Sequence, residues 1–496
     1  MVTTDRIRFK SHSDGDRLRI PAVVLSLALI FVGVEDGALW PDVYLVAMLA
    51  GVSVFLAFEA IRRHSAMDDR YLSVRSLLPS VFALHYALGG VLILVWTSFP
   101  WQSVVNADAY VTTGVRSGLG GACYIATVAG LGFYVGSSLT LRASSSSVGM
   151  IVNEYLLLKR AAPFLLLITL SLYLLVQPVV TLVWQQPVHI VASFSEVLIA
   201  FCAHVAVSTR DVAERVRFWL VCGVAVLLSA LPVLSTGARE NLLKPLLFVL
   251  IGYLTAKQRL PWRGVGAVLV LLVLVVLPVA NVAKQYVFDR GLGGAELLYA
   301  ARKDSSQANF SISIENVLSN LLQRINMLSS VSIYSQHYPS QFSWLNGESF
   351  VLELTEFVPR LAWPEKPEVG RLLDNYARSV GAIAQGDANT SAKFESVAEY
   401  YINFGLWGAF VCSCAHGMFY RLLECCFRRL LSPLMATLTI AVLFVENNDF
   451  FSFVSLGASH LKQLIIWSGL IMAISKVSTR KSRIHLDEPV QLRTVR

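Results

Sequence analysis

The chain contains twelve long apolar runs, and these constrain its fold more than any other feature. An α-helix needs about 20 mostly apolar residues to cross a bilayer. The runs lie at residues 20–34, 43–60, 77–96, 119–141, 162–184, 190–208, 218–234, 241–256, 264–282, 396–420, 431–446 and 451–475. Only 15% of the 496 residues are charged, against about 25% in a typical soluble protein. The sequence therefore predicts an all-α integral membrane protein with about twelve transmembrane helices.

The connecting loops indicate which side of the membrane each one faces. Lys and Arg concentrate in alternate loops and in both terminal tails, whereas the short loops between them contain mainly Arg116 and Arg239. Cytoplasmic loops of membrane proteins carry an excess of these residues. The pattern predicts an even number of spans with both termini in the cytoplasm. It also accounts for the net charge of +8 without a nucleic-acid partner.

One connecting segment is long enough to form a subdomain. The chain divides into a cytoplasmic tail (1–19), a membrane domain with about nine helices (20–282), a large outer segment (283–395), a membrane domain with about three helices (396–475) and a basic cytoplasmic tail (476–496). A structureless loop as long as the outer segment is uncommon. An apolar stripe at helical spacing over 314–328 predicts an amphipathic helix there. We therefore expect a helical subdomain.

A proline-rich stretch at residues 357–367 of the outer segment carries the first candidate site. Three prolines in nine residues prevent a regular helix and favour an extended or turning backbone. Arg360, Trp363 and Lys366 lie between them. Cations beside an aromatic ring suit a sugar diphosphate, with charge for the phosphates and a ring face for the sugar. The alternative is an interfacial Trp with cations that reach the lipid headgroups.

Two further polar stretches lie on the predicted outer side. Arg239 occupies the tight turn at 235–241, where an arginine beside the membrane suits a lipid phosphate, although a polar turn is also what any helical hairpin needs. Glu395, Glu399 and Asn403 are spaced to share one helix face. Acids are also favoured in the first turn of a helix, and that explanation suits Glu395 better than Glu399.

Ionisable residues inside the predicted spans need partners. Lys462 and His460 lie in the last span, and Glu196 and His204 lie in the sixth. An intramembrane lysine is costly and is often functional, but a structural Lys462–Glu196 pair is equally compatible with the sequence.

The chain lacks the short motifs that signal a nucleotide or a catalytic metal. It contains no Walker A loop, Rossmann glycine pattern, HEXXH motif or carboxylate-rich metal cluster. The sequence therefore predicts no metal and no cofactor.

Two of these stretches together resemble a known family. The sequence P-R-L-A-W-P-E-K-P at 359–367, followed by E-Y-Y-I-N-F-G at 399–405, is similar to bacterial oligosaccharide repeat unit polymerases, the Wzy or O-antigen polymerase-like family. The resemblance extends to the overall plan of ten to fourteen spans, a large late periplasmic loop and cytoplasmic ends. A pattern of some members, two outer loops that each bear R-x10-G, is absent from this chain.

The resemblance implies a GT-C-like polytopic bundle in the bacterial inner membrane, with the large loop in the periplasm. It implies an enzyme that joins undecaprenyl-diphosphate-linked oligosaccharides into a surface polysaccharide without a metal or cofactor. Membrane lipid, a flippase and a chain-length regulator are the other expected partners. The alternatives are an O-antigen ligase, which moves finished glycan from the same carrier, and a transporter or flippase of lipid-linked oligosaccharides.

The resemblance also suggests roles for the candidate residues. Arg360 and Arg239 would bind the diphosphate and stabilise the leaving group. Glu399 would position or deprotonate the acceptor hydroxyl, with Glu395 as the second candidate. Further substrate contacts are expected from Arg324, Trp363, Lys366, Glu395 and Asn403.

Overall fold

The computed structural model describes residues 23–25, 42–63, 73–98, 118–138, 148–176, 182–230, 240–257, 266, 327–358, 360, 362–381, 395–446, 454 and 460–471. Every regular element in these residues is helical, so the all-α fold class is confirmed for this part of the chain. Arg239, Arg324, nearly all of the first and ninth predicted spans and most of the 314–328 stripe lie outside the described residues.

Most helices overlap the apolar runs, but the helices Val148–Ser171 and Leu182–Ser208 begin well before the predicted runs at 162–184 and 190–208. The first half of the chain contains α1 (Asp42–Arg63), α2 (Val74–Phe82), α3 (Gly89–Ser98), α4 (Leu119–Ser137), α5 (Val148–Ser171), α6 (Leu182–Ser208), α7 (Val212–Ala230) and α8 (Glu240–Lys257). The second half contains α9 (Leu328–His337), α10 (Glu348–Leu354), α11 (Val369–Ser379), α12 (Ser396–Leu430), α13 (Pro433–Glu446) and α14 (residues 460–471). A π-helical turn, Ala83–Leu88, joins α2 to α3.

Five helical stretches are long and apolar enough to cross a membrane. They are Val74–Leu94, Leu119–Ser137, Tyr155–Val176, Val188–Ser208 and Ser396–Leu430. Shorter apolar helices at Tyr44–Glu59 and Pro433–Val445 coincide with two more of the predicted spans. These helices support the prediction of a membrane protein, whereas the total of twelve spans and their sidedness stay predictions.

Small residues allow the central helices to approach closely. A Cβ atom added to Gly136 of α4 would lie 2.0 Å from the carbonyl oxygen of Cys414 in α12. A Cβ atom at Gly252 of α8 would lie 2.1 Å from the carbonyl oxygen of Ala200 in α6. Such contacts between backbones are typical of helix packing in membranes, where dispersion rather than the hydrophobic effect holds helices together.

The described part of the predicted outer segment is mainly helical, while its status as a separate subdomain stays a prediction. It contains α9, α10 and α11, and α9 packs against both α4 and α12. Beyond Phe357, which ends the 3₁₀ turn Thr355–Phe357, the described residues of the proline-rich stretch are non-helical, as its prolines predict. The outer segment therefore rests on the same two helices that form the centre of the bundle.

Candidate functional site

Helix α12 breaks sharply near its start, contrary to the straight span predicted over 396–420. Phe404 and Gly405 have non-helical dihedral angles, and Gly405 has φ 64° and ψ −149°, a region that essentially only glycine occupies. The break divides α12 into a short limb, residues 396–403, and a long limb, residues 406–430. The long limb alone is long enough to span a bilayer. It ends at Leu430, ten residues beyond the predicted span.

The short limb folds back against the long limb. The Tyr400 hydroxyl lies 2.8 Å from Nδ1 of His416, although 16 residues separate them, which is about 24 Å along a straight helix. A Cβ atom on Gly408 would lie 2.1 Å from the carbonyl oxygen of Tyr400. The acids of the short limb consequently lie beside the bundle rather than at the outer tip of a long helix.

Glu399 forms a hydrogen-bonded cluster with Ser349 of α10 and Asn403 of the short limb, and we call these three residues the acid group. The Ser349 hydroxyl donates to Glu399 Oε1 at 2.5 Å, and Asn403 Nδ2 donates to Ser349 Oγ at 2.8 Å. Asn403 Oδ1 also accepts from the backbone N–H of Gly347 at 2.8 Å. Because all three side chains are fully buried, Glu399 has no path to a substrate in this arrangement. Its contacts fasten α10 to the short limb.

Glu395 occupies a different position from Glu399. It is the residue before the short limb, with extended backbone angles, and it is half-buried rather than fully buried. Its carbonyl oxygen accepts the first helical hydrogen bond, from the Glu399 N–H at 2.9 Å. Of the two predicted acids, Glu395 is therefore the less buried residue, although its Oε2 atom is itself buried.

Negative charge accumulates around Tyr334 of α9, on the same side of the bundle. Burial raises the pKa of Tyr334 well above its usual range. Nearby groups that add to the rise are Tyr338, Glu395, Asp374 and Glu399. The structure therefore places both predicted acids of α12 together with a third carboxylate, Asp374, which the sequence analysis did not identify.

In the proline-rich stretch, the side chains of Arg360 and Lys366 donate hydrogen bonds to backbone carbonyl oxygens of the same stretch. Arg360 Nη1 donates to the carbonyl oxygens of Pro364 and Lys366, each at 3.3 Å. Lys366 Nζ donates to the carbonyl oxygen of Val358 at 2.9 Å. Burial lowers the pKa of Lys366, the nearby Arg360 lowers it further, and the Glu356 carboxylate opposes both effects.

A third cation, Lys462 of α14, lies near Lys366. Its Nζ donates to the carbonyl oxygen of Glu356 at 2.8 Å, and it lies within electrostatic range of Lys366 and Glu356. We call Arg360, Lys366 and Lys462 the cation cluster. Among the described residues, each of the three bonds to backbone carbonyls and none forms an ion pair. The Lys462–Glu196 pair considered from the sequence is not formed.

Helix α10 connects the acid group to the cation cluster. Ser349 lies in its first turn and Glu356 lies just beyond its last, so about 10 Å separates the two along the axis. The two groups thus lie at opposite ends of one short, rigid element. Trp363 is 42% exposed on the adjoining loop, where its ring is accessible to a ligand.

A buried polar chain extends from the short limb into the bundle. His416 Nδ1 is hydrogen-bonded to the Tyr400 hydroxyl. The His416 ring stacks on the Tyr420 ring, with 5.1 Å between the ring centroids. The Tyr420 hydroxyl lies 3.4 Å from His460 Nε2, and His460 Nδ1 lies 2.9 Å from Gln463 Oε1. Because His460 and Gln463 belong to α14, this chain links the two helices that carry the acids and Lys462.

The sequence analysis identified the acids and the loop cations but missed the residues that position them. No sequence motif marks Ser349 as a partner of Glu399, and 50 residues separate the two along the chain. Among the described residues, no group of three or more His, Cys, Asp or Glu side chains has the arrangement of a metal site.

The region that contains these groups matches a protein family. Residues 148–485, about two thirds of the chain, match the family described as Domain of unknown function (DUF8712). The chain belongs to this family. The DUF8712 region includes the acid group and the cation cluster but begins after α4. No curated protein and no solved structure matches the chain.

Proposed function

We propose that this DUF8712 protein is a membrane glycosyltransferase that joins undecaprenyl-diphosphate-linked oligosaccharide repeat units into a surface polysaccharide. The reaction takes place on the side of the bacterial inner membrane that carries the outer segment. The resemblance of the 359–367 and 399–405 stretches to repeat unit polymerases supports this proposal, and so does their position at the two ends of α10.

The observation that carries the proposal is the cation cluster. The three cations form no ion pair among the described residues, and the nearby Glu356 carboxylate carries one negative charge against their three positive charges. Holding unpaired like charges together is unfavourable, and an anionic ligand relieves it. A diphosphate offers oxygens to all three groups, and the guanidinium of Arg360 matches phosphate geometry through two parallel hydrogen bonds. Its lipid carrier explains why one cation, Lys462, belongs to an apolar helix.

In the proposed reaction, a sugar hydroxyl of the acceptor attacks the anomeric carbon of the donor glycan. The bond from that carbon to the diphosphate oxygen breaks, and undecaprenyl diphosphate leaves. The cation cluster stabilises the charge on the leaving oxygen, an effect of about 3–4 kcal/mol for a preorganised donor. Arg239 and Arg324 stay predicted helpers in this step.

A carboxylate, acting as a general base, must accept the proton of the acceptor hydroxyl. The burial of Glu399 favours a positioning role, in which it holds α10 and the short limb together through Ser349. Glu395, which is partly exposed, is the better candidate for the base. A base contributes about 10²–10⁴-fold to the rate. Trp363 is proposed to stack on a sugar, and Asn403 acts through Ser349 rather than on the substrate.

Surface glycan from a strain that lacks the gene tests the proposal. The glycan ladder is expected to collapse to a single attached repeat unit, and plasmid-borne wild type restores it. Arg360→Ala and Lys462→Met fail to restore the ladder. Glu365→Gln, which changes an exposed residue of the same loop, restores it. An unchanged ladder in the deletion strain overturns the proposal. Loss of all attached glycan, including the single unit, indicates ligase-type transfer instead.

A further inference from the structure

In helix α10 and the turn that follows it, two polar side chains are buried and several large apolar side chains are exposed. Ser349 and Glu353 of α10 are buried, at 0% and 4% exposure. Apart from Glu348 at the first position of α10, which is exposed, the exposed side carries large apolar residues, which we call the apolar strip: Val351 (64%), Leu354 (53%), Phe357 (38%) and Val358 (37%). In a water-facing helix the charged residues lie outside and the apolar residues inside. The apolar strip is therefore unlike the surface of a loop in water.

The spacing of the strip makes it one continuous surface. Val351, Leu354 and Phe357 follow one another at intervals of three residues, the spacing that places side chains on the same side of a helical segment, and Val358 comes directly after Phe357. A contiguous exposed apolar patch of this kind marks a contact with a protein or a membrane.

The segment that carries the strip is fixed to membrane helices at both ends. Near its start, the Ser349 hydroxyl bonds to Glu399 of α12. Near its end, the carbonyl oxygen of Glu356 accepts from Lys462 of α14. Helix α14 is itself held against α6 by a 2.8 Å hydrogen bond from Trp467 Nε1 to the carbonyl oxygen of Ile190. The strip consequently lies beside the bundle.

An exposed apolar face of α12 begins next to α10. The rings of Phe350 and Phe404 lie 6.0 Å apart, which places α10 next to the start of the long limb. Phe404, Trp407 and Val411 are 42%, 49% and 54% exposed and share one side of that candidate membrane span. A spanning helix exposes such a face to lipid.

We propose that the apolar strip lies among the acyl chains of the adjacent bilayer leaflet. Residues 348–358 then form an interfacial segment rather than a loop in water. The cation cluster begins at the polar edge of the strip, at the depth of the phosphate headgroups. Amphipathic segments that lie in the interface have this combination of an apolar face and nearby basic residues. The positive charge of the cation cluster complements the negative phosphates of that leaflet. This complementarity favours lipid, rather than a second copy of the chain, as the partner of the apolar strip.

A fluorescent probe on the strip tests this position. Val351→Cys and Leu354→Cys are labelled with an environment-sensitive fluorophore in a Cys426→Ser background, because Cys426 is the exposed one of the seven cysteines. The protein is placed in nanodiscs of phosphatidylethanolamine and phosphatidylglycerol. Some nanodiscs contain lipids with a nitroxide at carbon 5 of the acyl chain, and iodide is the quencher from the aqueous side. Glu365→Cys, on the exposed loop nearby, is the matched control.

We expect the nitroxide lipid to quench both strip probes several-fold more than the Glu365→Cys probe, and iodide to show the reverse order. Iodide quenching of both strip probes equal to that of the control would overturn the proposal in favour of water. Protection from both quenchers that disappears when each nanodisc holds one copy would overturn it in favour of a second chain. The two strip positions are independent, so one variant that does not fold leaves the other as the test. The readout is position rather than turnover, so it does not depend on the proposed activity.

Discussion

At the scale of single residues, the acid group and the cation cluster differ in how their charges are compensated. Glu399 receives a hydroxyl hydrogen bond from Ser349, which Asn403 in turn supports. Arg360 and Lys462 bond to carbonyl oxygens and form no ion pair among the described residues, although the Glu356 carboxylate lies within electrostatic range of Lys462. The acid group is thus held by hydrogen bonds within the fold, whereas the cation cluster forms no ion pair among the described residues. This difference is why we propose a structural role for the acid group and ligand binding for the cation cluster.

Ser349→Ala is expected to destabilise the protein. It removes the donor to Glu399 Oε1 and one of the two acceptors of Asn403 Nδ2, and the loss of a hydrogen bond by a buried carboxylate costs about 1–3 kcal/mol. The midpoint of thermal unfolding of the purified protein measures the effect. Glu399→Gln is the control, because glutamine keeps an oxygen that accepts from Ser349, and its midpoint is expected to fall less. Equal midpoints for wild type and Ser349→Ala would show that the bond contributes nothing.

Glu395→Gln separates the roles of the two acids. If Glu395 is the base, this variant should lower the rate of polymer formation by about 10²–10⁴-fold without a change in the unfolding midpoint. Glu399→Gln should lower the rate by a smaller factor. Initial rates from a lipid-linked repeat unit provide the measurement. The reverse order of the two effects would return the role of base to Glu399.

The lowered pKa of Lys366 predicts how binding depends on pH. Its ammonium is fully present at low pH and is lost as the pH rises through a value below the ordinary 10.5. A bound diphosphate favours the charged form. Affinity for undecaprenyl diphosphate should therefore be constant at low pH and should weaken as the pH rises through that lowered value.

Lys366→Arg is the control for this dependence. Arginine stays charged throughout the range, so the weakening of affinity at alkaline pH should become smaller in this variant. Equilibrium binding of the lipid to protein in nanodiscs provides the measurement. An identical pH profile for the two proteins would show that Lys366 does not contact the ligand.

At the scale of elements, the break in α12 depends on one glycine. Gly405→Ala forces a side chain into dihedral angles that cost about 1–3 kcal/mol, so the unfolding midpoint should fall. Gly223→Ala in α7 is the control, because a Cβ atom there meets nothing within 4 Å and a helical glycine gains stability on replacement. A smaller loss for Gly405→Ala than for Gly223→Ala would contradict the broken geometry.

The helices were predictable from the sequence because each apolar run needs a helix to satisfy its backbone in lipid. The proline-rich stretch was predictable for an equally local reason. The break at Gly405 was not, since a single glycine within an apolar run is common in membrane helices. Lys462 was noticed as a costly intramembrane charge, but its contact with Glu356 joins residues 106 positions apart, and local patterns carry no information about such pairs.

At the scale of the whole molecule, the basic loops predict which surfaces face the cytoplasm. Cys426 lies near the end of α12 in a predicted cytoplasmic region, and Glu365 lies in the predicted outer segment. In cells with a permeabilised outer membrane, an impermeant maleimide should label Glu365→Cys but not native Cys426. Disruption of the inner membrane should then expose Cys426. Labelling of Cys426 before disruption would reverse the predicted topology.

The most direct test of the central claim is product length from purified protein. The chain in nanodiscs is given one substrate, the undecaprenyl-diphosphate-linked repeat unit, and the glycan products are sized by mass spectrometry. We predict a series of products that differ by one repeat unit for wild type and Glu365→Gln, and none beyond the single unit for Arg360→Ala and Lys462→Met. A wild-type protein that folds and binds the lipid yet forms no product of two units would contradict the account, and so would an undiminished series from the cation variants.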